Sequence, residues 1–284
     1  MARVRLGLIG DNITRSQSPR LHFEAGRLSG IDVSYERLIP RDLGLDFDAV
    51  FDRCTAEGFR GINVTYPYKE QVVPRLDMPD PLIAGIRACN TVLFSSPRPE
   101  GHNTDYSGFI AAFRARFPGE TPGRVAMAGA GGVGKAVAFA LAGLGAVELR
   151  VYDRDPGRVQ GLAKALAAAG IAMPVVSCTS MNEAAGSIDG LVNCTPLGMI
   201  GHPGSAMTLP QMRGAAWAFD AVYTPVDTQF LQQADEVGAR TLSGYDLFFH
   251  QGVDAFRHFT GIDVDAGALQ RALSGDMREG ARQG

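Results

Sequence analysis

The stretch Gly129-Ala-Gly131-Gly132-Val133-Gly134 follows an apolar run, Val125 to Ala128, and opens into Ala-Val-Ala-Phe-Ala-Leu-Ala, a strong helix former. Strand, tight turn and helix in that order make a cradle for a pyrophosphate. The first glycine allows the turn, the second lets phosphate approach the backbone, and the third lets helix and strand pack closely. The helix N-terminus adds free N–H groups and a partial positive charge. A glycine pattern alone is weak, but here a second apolar run, Val147 to Tyr152, ends at Asp153. That acid follows Gly129 at close to the roughly 20-residue spacing expected of a ribose-binding carboxylate. The chemistry indicated is dinucleotide binding.

Three further groups carry chemistry. Ser16 and Ser18 lie two residues apart, and Pro19 suits the first turn of a helix that Ser18 would cap. Capping accounts for Ser18 but not for Ser16, and two hydroxyls beside a helix start can also hold a carboxylate. Lys69 follows Tyr66-Pro-Tyr at the expected start of a helix, where a cation opposes the macrodipole. Asn103, Thr104 and Asp105 open another helix, and Asp105 can serve as its N-cap; three polar residues exceed what a cap needs.

The positioning elements read as two α/β sets. In the first, strands are expected at residues 4–10, 33–39, 59–65 and 86–94, with a helix at 45–57. In the second, the glycine turn is followed by strands ending at Ser177, at Asn193 and at Val222, and a short strand at 241–244. The loops Cys194 to Met199 and Tyr223-Thr-Pro then fall at the carboxyl edge of a parallel sheet, where ligands bind in this architecture. A helix over 245–260 carries His250 and Gln251, and the tail beyond it is expected to be a frayed helix. No low-complexity linker separates the sets, so two lobes are expected to meet through helices around a cleft.

The bulk numbers fit a globular protein of one or two domains: 284 residues, 45% hydrophobic, 20% charged, net charge −3. A slightly acidic balance without basic runs argues against nucleic acid. No apolar run approaches the roughly 18 residues of a membrane span, and the N-terminus does not read as a signal peptide. Cys54, Cys89, Cys178 and Cys194 lack CxxC spacing. They read as buried small hydrophobes in a reducing compartment, with no metal site, and the cytoplasm is the expected location.

Taken in order, the motifs resemble the shikimate dehydrogenase family, including its quinate/shikimate branch. They are Ser16-Gln-Ser18-Pro, Asn63-Val-Thr65-Tyr-Pro-Tyr-Lys69, Cys89-Asn90-Thr, Gly101-His-Asn-Thr-Asp105, the glycine turn, Asn193-Cys-Thr195-Pro-Leu-Gly-Met199, Asp220-Ala-Val222-Tyr223-Thr-Pro, and Gly244 through His250-Gln251-Gly. The resemblance implies a two-lobed α/β fold. An N-terminal substrate domain (1–104 plus 244–284) accompanies a Rossmann-type dinucleotide domain (105–243), and the final helices return to the N-terminal lobe. It also implies reversible hydride transfer between a nicotinamide cofactor and the ring carbinol of shikimate, giving 3-dehydroshikimate, in a monomer or homodimer.

By the same matching, Lys69 and Asp105 are the catalytic pair. An ammonium beside a carboxylate can hydrogen-bond a reacting hydroxyl and relay its proton. Ser16, Ser18 and Tyr223 would hold the carboxylate of a hydroxylated cyclohexene or cyclohexane acid, and Thr65, Asn90, Asp105 and Gln251 would meet its ring hydroxyls. Gly129, Gly131, Gly132, Val133 and Gly134 would meet the pyrophosphate, and Thr195, Met199, Val222 and Gly244 the nicotinamide. Where NADP-using relatives carry a short basic motif, this chain has Asp153-Arg154-Asp155. NAD is therefore the expected cofactor, with NADP possible if Arg154 or Arg158 turns toward a phosphate. The alternatives are a quinate or aminoshikimate-type dehydrogenase and, from another class, a non-catalytic NAD sensor, which would have no use for Lys69 and Asp105.

Overall fold

The protein's structure, a computed structural model, describes residues 3–280, with the backbone alone from 275 onward. Two compact units are present. One comprises Met1–Ile83, Ala88–Thr104 and Gln251–Gly284, the other Ala84–Arg87 and Asp105–His250.

The first sheet is built from β1 (Val4–Ile9), β2 (Val33–Leu38), β3 (Gly61–Val64), β4 (Thr91–Leu93) and β5 (Glu100–His102), in the order β2-β1-β3-β4-β5. The β1 strand pairs in parallel with β2 and β3, while β4 and β5 are antiparallel. Between them lie α1 (Ser18–Leu28), α2 (Pro40–Leu43), α3 (Phe47–Ala56) and α4 (Pro81–Ile86). The core under β3 and α3 gathers Phe47, Val50, Phe51, Ile62, Val64 and Val92.

The second unit contains α5 (Thr104–Arg116, shared at its first residue), β6 (Arg124–Ala128), α6 (Gly132–Gly143), β7 (Glu148–Tyr152), α7 (Pro156–Ala168), β8 (Val175–Ser177), α8 (Met181–Ala184), β9 (Gly190–Asn193), α9 (Leu209–Met212), β10 (Trp217–Asp220), α10 (Gln229–Glu236) and β11 (Arg240–Leu242). Every pairing in this six-stranded sheet is parallel, in the order β11-β10-β9-β6-β7-β8. The chain moves outward one way from β6 and then the other way from β9. This is the doubly wound arrangement, with its switch point between β6 and β9. The central strands β9 and β10 are buried on both faces, which is why they read as continuous apolar runs. On α5, Phe109 meets Phe219 and Phe113 meets Trp217 edge-on, and Phe117, one residue past the helix, meets Phe113 edge-on. Each such buried ring contributes roughly 1.5–3 kcal/mol by area.

Two last helices, α11 (Gly244–Thr260) and α12 (Ala266–Gly280), bring the chain back to the first unit, whose part of α11 begins at Gln251. Gly252 lies against Leu21 of α1 so tightly that an added Cβ would stand 2.6 Å from its Cδ1. Phe259 covers Gly61, its carbonyl accepts the Arg60 guanidinium at 3.0 Å, and the Ala272 carbonyl accepts Arg20 at 3.3 Å. Residues 281–284 of the expected frayed tail lie outside the described residues.

Several local expectations are corrected. Ser18 is the first residue of α1 rather than its cap. Gln17 stands at the cap without a side-chain bond, and the Ser18 N–H is taken by the Ser16 hydroxyl at 3.2 Å. The segment at Lys69 forms turns and no α-helix, so no macrodipole acts on it. Asp105 is not a cap but lies inside α5. The strand expected over 86–94 shrinks to three residues, because Asp80 takes the Leu82 N–H at 2.8 Å and starts α4 there, and Arg87 then turns at φ 54.

Candidate active site

A buried polar network organises the first unit. Asn90, at 3% exposure, stands just before β4. Its Oδ1 accepts the Thr104 N–H at 2.7 Å, and its Nδ2 donates to the Thr104 hydroxyl at 3.1 Å and toward Gln251 Oε1 at 3.4 Å. Thr104 reaches the same Gln251 oxygen at 3.3 Å. One layer deeper, Asn63 of β3 donates to the Asn90 carbonyl and the Thr91 hydroxyl, each at 3.1 Å, and accepts the Tyr35 hydroxyl at 2.9 Å. His22 bonds Asn63 and stacks on Tyr35 at 4.8 Å; full burial pushes its imidazole down to about 3, so it is neutral. The Asn63 and Asn90 amides are bonded through both oxygen and nitrogen, which fixes their geometry, whereas the buried His22 Nδ1 has no hydrogen-bond partner among the described residues.

The other expected residues of this unit have anchors of their own. Ser16, 7% exposed, donates to the Ser18 hydroxyl at 3.1 Å, so the two hydroxyls form one patch. Thr65 is tied by its N–H to the Ile9 carbonyl at 2.9 Å, and its methyl fills the space that a Cβ on Gly10 would take, 2.3 Å away. The half-buried Lys69 is fixed through its carbonyl, which accepts the Cys89 N–H at 2.8 Å next to Asn90. Tyr68 donates to Asp11 at 2.6 Å; burial and that acceptor raise its phenol to about 12.

In the second unit, each glycine of the turn has a separate physical reason. Gly129 adopts φ +92, and a Cβ there would stand 2.8 Å from the Cys194 carbonyl. At Gly131, the cap of α6, a Cβ would meet only an Arg158 guanidinium nitrogen at 3.6 Å, leaving room for a ligand. A Cβ on Gly134 would strike the Gly129 carbonyl at 2.3 Å. Gly132 and Val133 open the first turn of α6, half-exposed. Asp153, just past β7, accepts the Ala130 N–H at 2.8 Å and the Asp155 N–H at 2.9 Å. Asp155 caps α7 through Gly157 at 2.9 Å and lies 3.8 Å from Arg158. The turn therefore fits a dinucleotide pyrophosphate, with a carboxylate anchored beside it.

The loops at the sheet's carboxyl edge complete this unit. Thr195 is held by Asn193, and its Cγ2 lies 3.1 Å from the point a Gly129 Cβ would occupy. Met199 is half-buried in the same loop. Val222 and Gly244 are adjacent, since a Cβ on Gly244 would stand 2.6 Å from the Val222 carbonyl. Tyr223 stacks on Phe248 at 5.2 Å, and Asp105, 5% exposed, lies in the first turn of α5. Tyr35, Thr91, His22 and Thr228 are not among the residues expected at the site from sequence. A polar residue inside an apolar strand run, as with Asp220 after Trp-Ala-Phe, was the available signal for the deeper layer.

Residues 8–92 match the family model described as the shikimate dehydrogenase substrate binding domain. Over 268 residues the chain is 40% identical to the quinate/shikimate dehydrogenase (NAD(+)) of Corynebacterium efficiens, covering 92% of this chain and 94% of that one. It is 38% identical over 265 residues to the shikimate dehydrogenase (NADP(+)) of Pseudarthrobacter chlorophenolicus, covering 92% and 90%. Among solved structures, quinate dehydrogenase from Corynebacterium glutamicum in complex with NAD superposes with a TM-score of 0.87 at 36% identity, over 96% of this chain and all of that one. The chain belongs to the shikimate dehydrogenase family.

Proposed function

We propose that this protein is an NAD-preferring dehydrogenase interconverting shikimate and 3-dehydroshikimate, with quinate as a second substrate. The observation that carries the reading is the Asp153 carboxylate, anchored to the glycine turn at the Ala130 N–H. There it can accept the adenosine ribose hydroxyls and repel a 2′-phosphate. Relatives of the two-substrate, NAD-using kind support quinate as the second substrate.

The first unit is the substrate domain and the second the dinucleotide domain. Ser16 and Ser18, with Tyr223, take the substrate carboxylate. Thr65, Asn90, Asp105 and Gln251 meet the ring hydroxyls; neutral partners of this kind discriminate sharply, because a missing hydroxyl leaves them unpaired. Gly131, Gly132 and Val133 present N–H groups to the pyrophosphate, with Arg158 over Gly131, and Thr195, Met199, Val222 and Gly244 line the nicotinamide. Held there, a nicotinamide would supply the hydride acceptor for the ring carbinol. Lys69 and Asp105 hydrogen-bond the reacting hydroxyl and take its proton as one coupled acid–base pair. We place the enzyme in the cytoplasm as a monomer or homodimer. Among the described residues, no helix is long and apolar enough to cross a membrane.

Steady-state kinetics with shikimate and quinate, each with NAD and NADP, test the proposal. Oxidation of shikimate with NAD as the better cofactor is expected. Oxidation of neither acid overturns it.

A further inference from the structure

At the carboxyl edge of the parallel sheet, three donors converge on one carboxylate. Asp220 ends β10 with no solvent exposure. Its Oδ1 accepts the Asn193 amide at 2.9 Å and the Val222 N–H at 3.0 Å, and its Oδ2 accepts the Thr228 hydroxyl at 2.6 Å. The donors stand on three pieces of chain: the end of β9, the loop after β10, and the residue that caps α10 through Leu231. Asn193 extends the link. Its Oδ1 accepts the Thr195 N–H and hydroxyl at 2.9 and 2.7 Å, and its Nδ2 reaches the Leu197 carbonyl at 3.1 Å. Thr195 abuts Gly129, and the Val222 carbonyl abuts Gly244. One buried side chain thus ties together the glycine turn, the loop 194–199, the loop 221–228 and the start of α11.

Since every partner donates, the central group must be acceptor-only, and a carboxylate is the side chain of this length with no donor of its own. Burial raises the Asp220 carboxyl to about 6, and the bonds from Thr228, Val222 and Asn193 oppose that rise, so it is mainly ionised at neutral pH. A charge taken fully out of water is costly. The surrounding sheet does not need it, since Trp217, Ala218 and Phe219 before it pack as an ordinary apolar strand.

The geometry points to Asp220 as a positioning residue for the nicotinamide half of the dinucleotide, setting Thr195, Met199, Val222 and Gly244 as one rim. This rests on the NAD placement proposed above. Asp220→Asn keeps the shape but turns an N–H₂ toward one of three donors.

Calorimetric binding of NAD and of ADP-ribose, which lacks the nicotinamide ring, separates a positioning role from general damage. In Asp220→Asn, NAD affinity should fall about tenfold, as for a lost bond to a charged group, while ADP-ribose affinity changes less than about twofold. Thr228→Val should repeat that split and Thr228→Ser should behave as the parent; this pair serves if Asp220→Asn does not fold. Equal losses for both ligands, or no loss for NAD, overturn the positioning role. A parent that binds NAD beside variants that match it sinks this inference alone, whereas a parent that does not bind NAD sinks the cofactor assignment as well.

Discussion

Asp153 and Ala130 are joined by a 2.8 Å hydrogen bond, so the acid beyond β7 and the turn after β6 form one rigid piece. The Asp155 N–H holds the other carboxylate oxygen at 2.9 Å. The carboxylate therefore cannot swing aside to admit a 2′-phosphate without breaking both bonds. Like-charge juxtaposition costs several kcal/mol, so a preference for NAD of about a hundredfold or more in kcat/KM is expected. Asp153→Asn should improve use of NADP and weaken use of NAD. A parent that runs equally well on NADP defeats the assignment.

Lys69 is expected to act in chemistry more than in binding. Its backbone is pinned by the Cys89 N–H, so removing the side chain leaves the segment in place. Lys69→Ala should lower kcat by at least about a hundredfold, the low end for a lost general acid–base, and change shikimate affinity far less. Stopped-flow and equilibrium binding on the purified variant decide it; retention of most of kcat refutes the role.

The serine pair separates binding from stability in a direction opposite to the sequence expectation. Both substitutions should raise KM for shikimate about tenfold, as for a lost hydroxyl bond to a charged group. Only Ser16→Ala also removes the acceptor of the Ser18 N–H at the start of α1. It should therefore cost about 1 kcal/mol of stability, the usual worth of a helix-terminal partner. Melting temperature and KM on both variants test this. A larger melting loss in Ser18→Ala would contradict the bonding seen here.

His22 should make the protein acid-sensitive. Its folded value is about 3, well below the ordinary 6.5, so the fold keeps it neutral while the unfolded chain takes a proton. Its contribution is complete above pH 6.5 and is lost progressively as pH falls toward 3, at about 1.4 kcal/mol per pH unit for one proton. His102, lowered to about 4 first by burial and then by the nearby His258, acts in the same direction. Urea midpoints at pH 6.5 and 4.5 should therefore drop steeply in the parent and less steeply in His22→Phe. Equal slopes would show that His22 is not the group titrating.

What was legible in the sequence was local. Gly129, Gly131 and Gly134 impose their turn within a few residues, and the central strands announce themselves as continuous apolar runs. The bond between Asn90 and Gln251 joins residues 161 positions apart, and no periodicity encodes it. Ser16 and Ser18 exchanged structural roles because a helix start shifts by one residue on backbone geometry that composition does not set. The short β5 escaped notice for lack of apolar alternation in Glu-Gly-His. Asp220 stood in plain view within its motif, but its three donors come from β9, the loop after β10 and the residue capping α10, and only the folded sheet gathers them.

The return of α11 and α12 to the first unit has a consequence for synthesis. Arg60 finds its partner in Phe259, and Arg20 in Ala272, 199 and 252 positions later. The first unit thus begins to leave the ribosome first yet is completed last. Emergence of Asp105–His250 alone takes roughly 7–30 s at about 5–20 residues per second. Meanwhile the surface around Leu21 and Gly61 that α11 will cover stays open to chaperones or to other nascent chains. Purified chains ending at His250 should accordingly be cut by protease within residues 3–83, while the parallel six-stranded unit resists.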